Sequence, residues 1–242
     1  MTPLVQSLSF ALAAALANII GGFIVTSSKW ARNSLRYFIA LGSGFMLGTV
    51  FLEMFPESMA LTKAAPMLVL LGYVIVHVFE HTLASHLHFG EEIHHDELLN
   101  PAVGFSALVG MLVHTFFDGV AIGAGFLVSD SVGVLIFLAV LLHKIPDGFT
   151  ISSIAITSGR SSRSALAAAT SLGISTLVGV LAVHIVGGTV SYALPISTGS
   201  TLYVAATDLM PEVNREKGVK MAFVVFAGMG LFLMVRMIAT HQ

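Results

Sequence analysis

Long apolar segments, separated by short stretches with Gly, Pro, Ser or charged residues, run through the whole chain. Residues 65–71 and 135–142 show no alternation of apolar and polar positions, which argues against membrane-spanning strands and favours helices. A helix needs about 20 apolar residues to cross a bilayer. The pattern predicts eight such helices, at residues 4–26, 36–55, 66–87, 102–127, 131–157, 164–187, 191–210 and 219–238. The predicted fold class is therefore an all-α polytopic membrane protein, in which residues 1–242 form a single transmembrane domain.

The composition of the chain agrees with this pattern. Of 242 residues, 11 are Lys or Arg and 13 are Asp or Glu, so charged residues make up 10% of the chain, whereas soluble domains carry roughly a quarter. Hydrocarbon does not solvate ions, and a mean hydropathy of +0.92 suits helices in contact with membrane lipid. The net charge of −2 and the lack of a long basic stretch argue against nucleic acid as a partner. An ordinary soluble enzyme is excluded.

The basic residues predict the orientation of the helices, because cytoplasmic loops of membrane proteins carry an excess of Lys and Arg. Eight basic residues fall on one side of the predicted helices: Lys29, Arg32, Arg36, Arg160, Arg163, Arg215, Lys217 and Lys220. Only Lys63 and Arg236 fall on the other side. We therefore expect both termini to lie outside and the loop between the third and fourth helices to be cytoplasmic, in a plasma (inner) membrane.

Two related segments place titratable side chains where lipid-facing residues are expected. The fourth helix contains H-x-x-x-D-G at His114 and Asp118, and the fifth repeats it 29 residues later at His143 and Asp147. Residues four apart share one face of a helix, so each segment presents an imidazole and a carboxylate together, near the middle of the membrane. Such ligands, without thiolate, suit Zn(II), Cd(II), Fe(II) or Mn(II). The pattern predicts a metal site between the fourth and fifth helices; the alternative is two buried hydrogen-bonded His–Asp pairs without metal.

A second pair of segments indicates internal symmetry. The second and seventh helices both end in acid-x-x-Pro-Glu, with Glu53 and Glu57 in the second helix and Asp208 and Glu212 in the seventh. These two helices run in opposite directions, as do the fourth and fifth. Equating helices 1–3 with 6–8, and 4 with 5, gives an inverted 3+2+3 repeat around a central site, which is the design of alternating-access transporters. The acids at the two ends would concentrate cations at the entrances of a pathway. The alternative is a helix end followed by a solvated carboxylate.

The H-x-x-x-D-G and H-K-x-P-D-G segments resemble those of the ZIP (Zrt-, Irt-like protein) family of divalent-metal transporters. The eight helices, the outward termini and the His-rich loop between the third and fourth helices are similar to that family too. The resemblance implies transport of a transition metal, with zinc as the expected cargo, into the cytosol, and no enzymatic activity. In the family, one metal position uses the His and the carboxylate of each segment, which here are His114, Asp118, His143 and Asp147.

The chain departs from the family at three places. Family members with two adjacent metals have an Asn after the first His, an acid after the second His and an acid on the sixth helix. Thr115, Lys144 and Thr176 stand at these places here. Because the ammonium group of Lys144 would repel a second dication, we expect a single metal ion, with Lys144 substituting for the charge of the second. The alternative is a structural Lys144 whose side chain extends along the helix to water.

Two further motifs lie on the predicted cytoplasmic side. The loop at residues 86–100 contains four histidines: His86, His88, His94 and His95. It is interpreted as a segment for metal capture, and the alternative is a solvated polar loop. Before this loop, His77-x-x-Glu80-His81 matches a zinc peptidase signature. This motif is interpreted as either a relay on the exit path or satisfied polar packing. It also leaves an intramembrane zinc hydrolase as the alternative function, although that function would not explain the inverted repeat.

Small residues at Gly44 and Gly48 lie on one face of the second helix. Such a face lets two helices approach closely. The sequence leaves open whether it packs within the chain or forms a homodimer.

Overall fold

The computed structural model describes residues 2–25, 30–83, 101–187, 189–215 and 219–240. In these residues the structure is helical and contains no strand. The described α-helices are α1 (Pro3–Val25), α2 (Trp30–Thr49), α3 (Phe55–Leu61), α4 (Ala65–Leu83), α5 (Pro101–Val128), α6 (Asp130–Thr157), α7 (Ser162–Val186), α8 (Val190–Tyr203), α9 (Met210–Asn214) and α10 (Val219–Thr240). Two π-helical turns connect helices without a break: Val50–Met54 joins α2 to α3, and Val204–Leu209 joins α8 to α9.

Six helical segments of the described chain are long and apolar enough to cross a membrane, judged by length and composition. Large apolar side chains point outward from them; Phe23 is 63% exposed, Ile185 80% and Phe223 69%. An outer surface of this kind suits lipid rather than water. The prediction of an all-helical, polytopic membrane protein is confirmed. The count of eight stays a prediction, because Ala65–Glu80 is a shorter apolar helix and a π-helical turn divides the seventh predicted helix.

Local sequence sets the starts of α6 and α7. Ser129 and Ser161 precede the two helices as N-cap residues, and their Oγ atoms accept the backbone N–H groups of Val132 and Ser164 at 3.2 Å. Gly159 follows α6 with a φ of +75°, a conformation that glycine adopts without steric cost. The short connection makes α6 and α7 antiparallel neighbours.

Four helices, α1, α5, α6 and α7, pack together at the centre of the molecule. Helices α2 and α10 form a pair, and α2 packs beside α6. Helices α4 and α8 form a second pair, which packs beside α5. Because α5 and α6 have neighbours on several sides, side chains directed between these two helices are shielded from lipid.

Four helix pairs approach each other closely at glycines. In each pair, a glycine of one helix lies against a backbone carbonyl of the other, and the reciprocal contact lies three residues away on both helices. The contacts join Gly148 to Asn18 and Gly21 to Ile145 (α6 with α1), Gly119 to Thr176 and Gly179 to Phe116 (α5 with α7), Gly44 to Val225 and Gly228 to Leu41 (α2 with α10), and Gly72 to Ile196 and Gly199 to Val69 (α4 with α8). A Cβ at any of these glycines would overlap the facing carbonyl oxygen, so the backbones meet only because no side chain separates them.

The small-residue face of α2 is used within the chain. Gly44 lies against the carbonyl of Val225, and a Cβ at Gly48 would lie 2.9 Å from the ring of Phe232. Both contacts are made with α10. Of the two interpretations of this face, packing within the chain agrees with the structure.

Candidate metal centre

The side chains of His114, Asp118, His143 and Asp147 meet between α5 and α6. His114 and Asp118 lie about one turn apart on α5, and His143 and Asp147 lie about one turn apart on α6. All four are buried, with exposed fractions between 1% and 6%. Together they offer two imidazole nitrogens and two carboxylate oxygens within 4.8 Å of one another. The structure thus brings together the four residues that the repeated segments singled out.

The spacing of these donor atoms is close to that of a tetrahedral metal site. Nε2 of His114 lies 3.4 Å from Oδ2 of Asp118 and 3.3 Å from Oδ2 of Asp147. Nε2 of His143 lies 3.3 Å from Oδ2 of Asp118 and 3.8 Å from Oδ2 of Asp147. Zinc bound to nitrogen and oxygen at about 2.0–2.1 Å would separate its tetrahedral ligands by about 3.3–3.4 Å. Small side-chain movements would therefore suffice to ligate such an ion.

Hydrogen bonding orients the two imidazoles. Nδ1 of His143 lies 2.9 Å from the carbonyl oxygen of Ala139, which accepts a hydrogen bond and so assigns the proton to Nδ1. Nε2 of His143 then presents its lone pair to the carboxylates, an arrangement that a cation between them would stabilise. Nε2 of His114 is buried and has no hydrogen-bond partner in the described structure. Because buried polar atoms are rarely left without a partner, ligation of a cation fits His114 better than His–Asp pairing alone, whereas Nε2 of His143 lies within hydrogen-bond distance, 3.3 Å, of Oδ2 of Asp118.

Lys144 adds an ammonium group to the same cluster. Its side chain is fully buried, and Nζ lies 2.5 Å from Oδ2 of Asp118 and 3.1 Å from Oδ2 of Asp147. The side chain therefore does not extend along the helix to water. Two carboxylates and one ammonium sum to a charge of −1 before any metal binds. One dication changes this sum to +1, and a second would meet a net positive site in a medium of low dielectric constant.

A second group of candidate ligands adjoins the first on the side of α4 and α8. Glu80, His114 and Asp208 offer donor atoms within 4.8 Å of one another, so His114 belongs to both groups. Asp208 lies in the π-helical turn Val204–Leu209 and is only 8% exposed. It is therefore not a solvated carboxylate at a helix end, and it continues the polar groups of the centre towards α4.

The H-x-x-E-H motif does not form a hydrolase centre in the described residues. The ring of His77 packs edge-on against Tyr203, with 5.9 Å between ring centroids, and His77 belongs to neither group of candidate ligands. Glu80 is grouped instead with His114 and Asp208. The side chain of His81 lies outside the described residues. A catalytic zinc with its ligands on this motif is therefore not supported by the geometry of its described members.

Glu53 lies in the other π-helical turn, Val50–Met54, and is paired with α10. It is buried, and its Oε2 lies 2.9 Å from Nε of Arg236. This pair was not predicted from the sequence, in which Arg236 counts only as a basic residue on the outer side. The available signal was a charged residue inside the predicted eighth helix. Glu57 follows on α3 and is half-buried.

Some predicted residues fall outside the part of the chain that the structure describes. They are the loop histidines His86, His88, His94 and His95, and the side chain of Glu212. The roles assigned to them stay predictions.

The fold and the centre together define a class: a polytopic membrane protein with a buried His and Asp cluster suited to a transition metal. Comparison with known families agrees with this class. The family model described as ZIP zinc transporter matches residues 90–236. The chain belongs to this family, as the paired segments of the fourth and fifth helices indicated.

Curated relatives carry the same description. The zinc transporter SLC39A7 of Canis lupus familiaris is 34% identical over 124 residues, which cover 47% of this chain and 26% of the relative. SLC39A7 of Homo sapiens is 31% identical over 145 residues (54% and 31%), and zinc transporter ZIP13 of Pongo abelii is 28% identical over 203 residues (76% and 60%). The chain thus matches about a quarter to a third of the length of the SLC39A7 relatives. These relatives are named transporters rather than enzymes, in agreement with the prediction that the chain is not an enzyme.

Proposed function

We propose that the chain transports a divalent transition metal, with zinc as the expected cargo, and binds it at His114, Asp118, His143 and Asp147. The observation that carries the proposal is the set of four buried donor atoms, two nitrogens and two oxygens, that meet between two helices with nitrogen-to-oxygen distances of 3.3–3.8 Å. The names of the relatives support zinc. Cd(II), Fe(II) and Mn(II) are the alternatives that the same ligands would accept.

The centre is proposed to hold one metal ion at a time. Lys144 contacts both carboxylates and supplies the positive charge that a second dication would otherwise bring. A mixed nitrogen and oxygen site without thiolate also favours release, because it binds a transition metal less tightly than a closed thiolate cage. Both features suit a carrier that must let go of its cargo.

The proposed pathway runs from the acids near α3, through the centre, to the acids near α9. Glu53 and Glu57 lie at the first end, and Asp208 and Glu212 at the second. Asp208 supports this path most strongly. It forms a group of candidate ligands with Glu80 and His114, and His114 is also one of the four ligands of the centre. A metal ion leaving the four ligands can exchange them for Glu80 and Asp208 without losing all its protein contacts. The His-rich loop is proposed to receive it next.

We infer inward transport, with both termini outside, from the distribution of basic residues. Arg160, Arg163, Arg215 and Lys220 lie at the end of the molecule proposed to be cytoplasmic, and Lys63 lies at the other end. In this orientation the Asp208 end faces the cytosol. The membrane proposed is the plasma (inner) membrane.

An alternating-access mechanism is proposed on the basis of an inverted repeat. In the labels of the structure, predicted helices 1 and 6 are α1 and α7, and predicted helices 4 and 5 are α5 and α6. If these are equivalent pairs, the glycine contacts of α1 with α6 correspond to those of α7 with α5. The contacts of α2 with α10 correspond likewise to those of α8 with α4. The π-helical turns Val50–Met54 and Val204–Leu209 also fall at related positions. Such a repeat lets one structure adopt outward-open and inward-open arrangements of similar form.

Uptake of Zn²⁺ into proteoliposomes tests the proposal. The wild type is expected to take up zinc, and His143→Ala is expected to lose uptake while keeping the elution profile of the folded protein. The matched control is His184→Ala, since His184 lies on α7, bonds to Ser7 Oγ at 3.1 Å and belongs to neither ligand group. Unchanged uptake by His143→Ala would overturn the proposal. Repeating the assay with Cd²⁺, Fe²⁺ and Mn²⁺ defines the cargo.

A further inference from the structure

Each of the two π-helical turns carries a buried acid, and the two acids lie at corresponding positions of their helices. Glu53 lies in Val50–Met54, and Asp208 lies in Val204–Leu209. Their exposed fractions are 7% and 8%. Turns of this type are rare in helices and often mark functional positions. The residues that face these two acids therefore indicate how the two ends of the proposed pathway differ.

The glycine contacts define the position of each acid along its helix. Gly44 meets α10, and Gly199 meets α4, through the same reciprocal contact with a carbonyl. Glu53 follows Gly44 by nine residues, and Asp208 follows Gly199 by nine residues. The two acids are thus equally distant from the crossing that anchors their helix.

The partner helices show the same register but opposite charge. Gly228 is the glycine of α10 at its crossing, and Gly72 is the glycine of α4. Arg236 follows Gly228 by eight residues, and Glu80 follows Gly72 by eight residues. Arg236 is therefore the counterpart of Glu80. At one end an acid faces an acid; at the other an acid faces a guanidinium.

The contacts at the two ends agree with this difference. Glu80 and Asp208 lie together with His114 in a group of candidate metal ligands. Glu53 belongs to neither of the ligand groups found in the described residues, and its Oε2 lies 2.9 Å from Nε of Arg236. A guanidinium carries a positive charge at physiological pH, so it balances the charge of the buried carboxylate for as long as the two groups are in contact.

We propose that Arg236 is a tethered cation that occupies, at the Glu53 end, the place that a metal ion takes at the Glu80 and Asp208 end. The outer end then holds no metal ion at equilibrium, and Glu53 contacts an incoming dication only when the guanidinium moves aside. The side chain of Arg236 is 41% exposed, so protein atoms do not enclose it and it has room to move aside. The names of the two ends and the cargo rest on the proposed function; the pairing of Arg236 with Glu53 does not.

Metal-binding stoichiometry of the purified full chain tests this proposal. Arg236→Glu places a second acid opposite Glu53, and it is expected to bind one more Cd²⁺ per chain than the protein that retains Arg236. The comparison is made in a His143→Ala background, so that a change at the central ligands does not contribute. Adding Glu53→Gln to Arg236→Glu is expected to remove the extra ion. No gain with Arg236→Glu, or a gain that survives Glu53→Gln, overturns the proposal.

The unaltered outer end supplies a second test. With Arg236 in place, Glu53→Gln is expected to leave the number of bound Cd²⁺ ions unchanged, because Glu53 holds no metal. Loss of an ion in this variant would contradict the proposal. This measurement does not depend on how Arg236→Glu folds.

Uptake kinetics separate this proposal from the proposed function. Arg236→Gln removes the positive charge at the outer end, and the KM for Zn²⁺ is expected to fall severalfold; Glu53→Gln in that background should raise the KM again. A KM that responds to neither change contradicts the role of the pair. If the wild type takes up no metal, the transport proposal fails, whereas the stoichiometry experiments still decide the role of Arg236.

Discussion

Nζ of Lys144 lies 2.5 Å from Oδ2 of Asp118, and neither side chain is more than 2% exposed. The same ammonium lies 3.1 Å from Oδ2 of Asp147. Both carboxylates that face the two imidazoles are therefore shared with a cation that belongs to the chain. This arrangement limits the positive charge that the centre can accept.

Replacing Lys144 by Glu is expected to raise the number of zinc ions bound per chain by one. The change converts a cluster of charge −1 into one of charge −3, so a second dication is attracted instead of repelled. Isothermal titration calorimetry of the purified protein measures the stoichiometry. The control is Lys63→Glu, which makes the same charge change at an exposed position. If Lys144→Glu binds the same number of ions as the wild type and transports zinc unchanged, Lys144 is not a charge substitute.

Gly148→Ala is expected to destabilise the protein by about 1–3 kcal/mol, because the new Cβ would overlap the carbonyl oxygen of Asn18 and force α1 and α6 apart. Thermal unfolding in detergent measures the effect. Gly230 is the matched control: a Cβ there would have no neighbour within 4 Å, and alanine favours helix by about 1 kcal/mol over glycine. Equal melting temperatures for Gly148→Ala and Gly230→Ala would show that the close contact of α1 with α6 does not contribute to stability.

Asp208→Asn is expected to slow zinc uptake while zinc still binds at the central ligands. The amide keeps the shape of the side chain but removes the negative charge with which Glu80 and Asp208 would attract the departing ion. Initial uptake rates in proteoliposomes and equilibrium binding are measured on the same preparation. Asp130→Asn makes the same chemical change at the exposed start of α6 and should leave both unchanged. Loss of equilibrium binding in Asp208→Asn would instead make Asp208 part of the central site.

The central cluster was predictable because each of its two segments places a His and an Asp four residues apart. His114 and Asp118 share a helical face by spacing alone, and the repeat at His143 and Asp147 indicated the second half. The orientation of α5 and α6 towards each other then followed from the cost of leaving these groups in lipid. The contact of Lys144 with both carboxylates, in contrast, depends on a side-chain conformation that spacing does not determine.

The sequence marks Arg236 as a charged residue inside a predicted helix, but it does not show that Glu53 is its partner. These residues are 183 positions apart, and their contact depends on the register in which α2 packs against α10. That register is set by the glycine contacts of Gly44 and Gly228, which only the structure shows. The grouping of Glu80 with Asp208 depends on the corresponding contacts between α4 and α8. From the sequence alone, Glu80 could belong to an exit-path relay, to polar packing or to a hydrolase signature.

The central claim is that one metal ion binds between α5 and α6. Anomalous X-ray scattering at the zinc absorption edge, from crystals of the zinc-loaded full chain, tests it most directly. One strong peak is expected about 2.0–2.2 Å from Nε2 of His114, Nε2 of His143 and carboxylate oxygens of Asp118 and Asp147. The absence of a peak at these residues, or a zinc ion held by neither histidine, would contradict it.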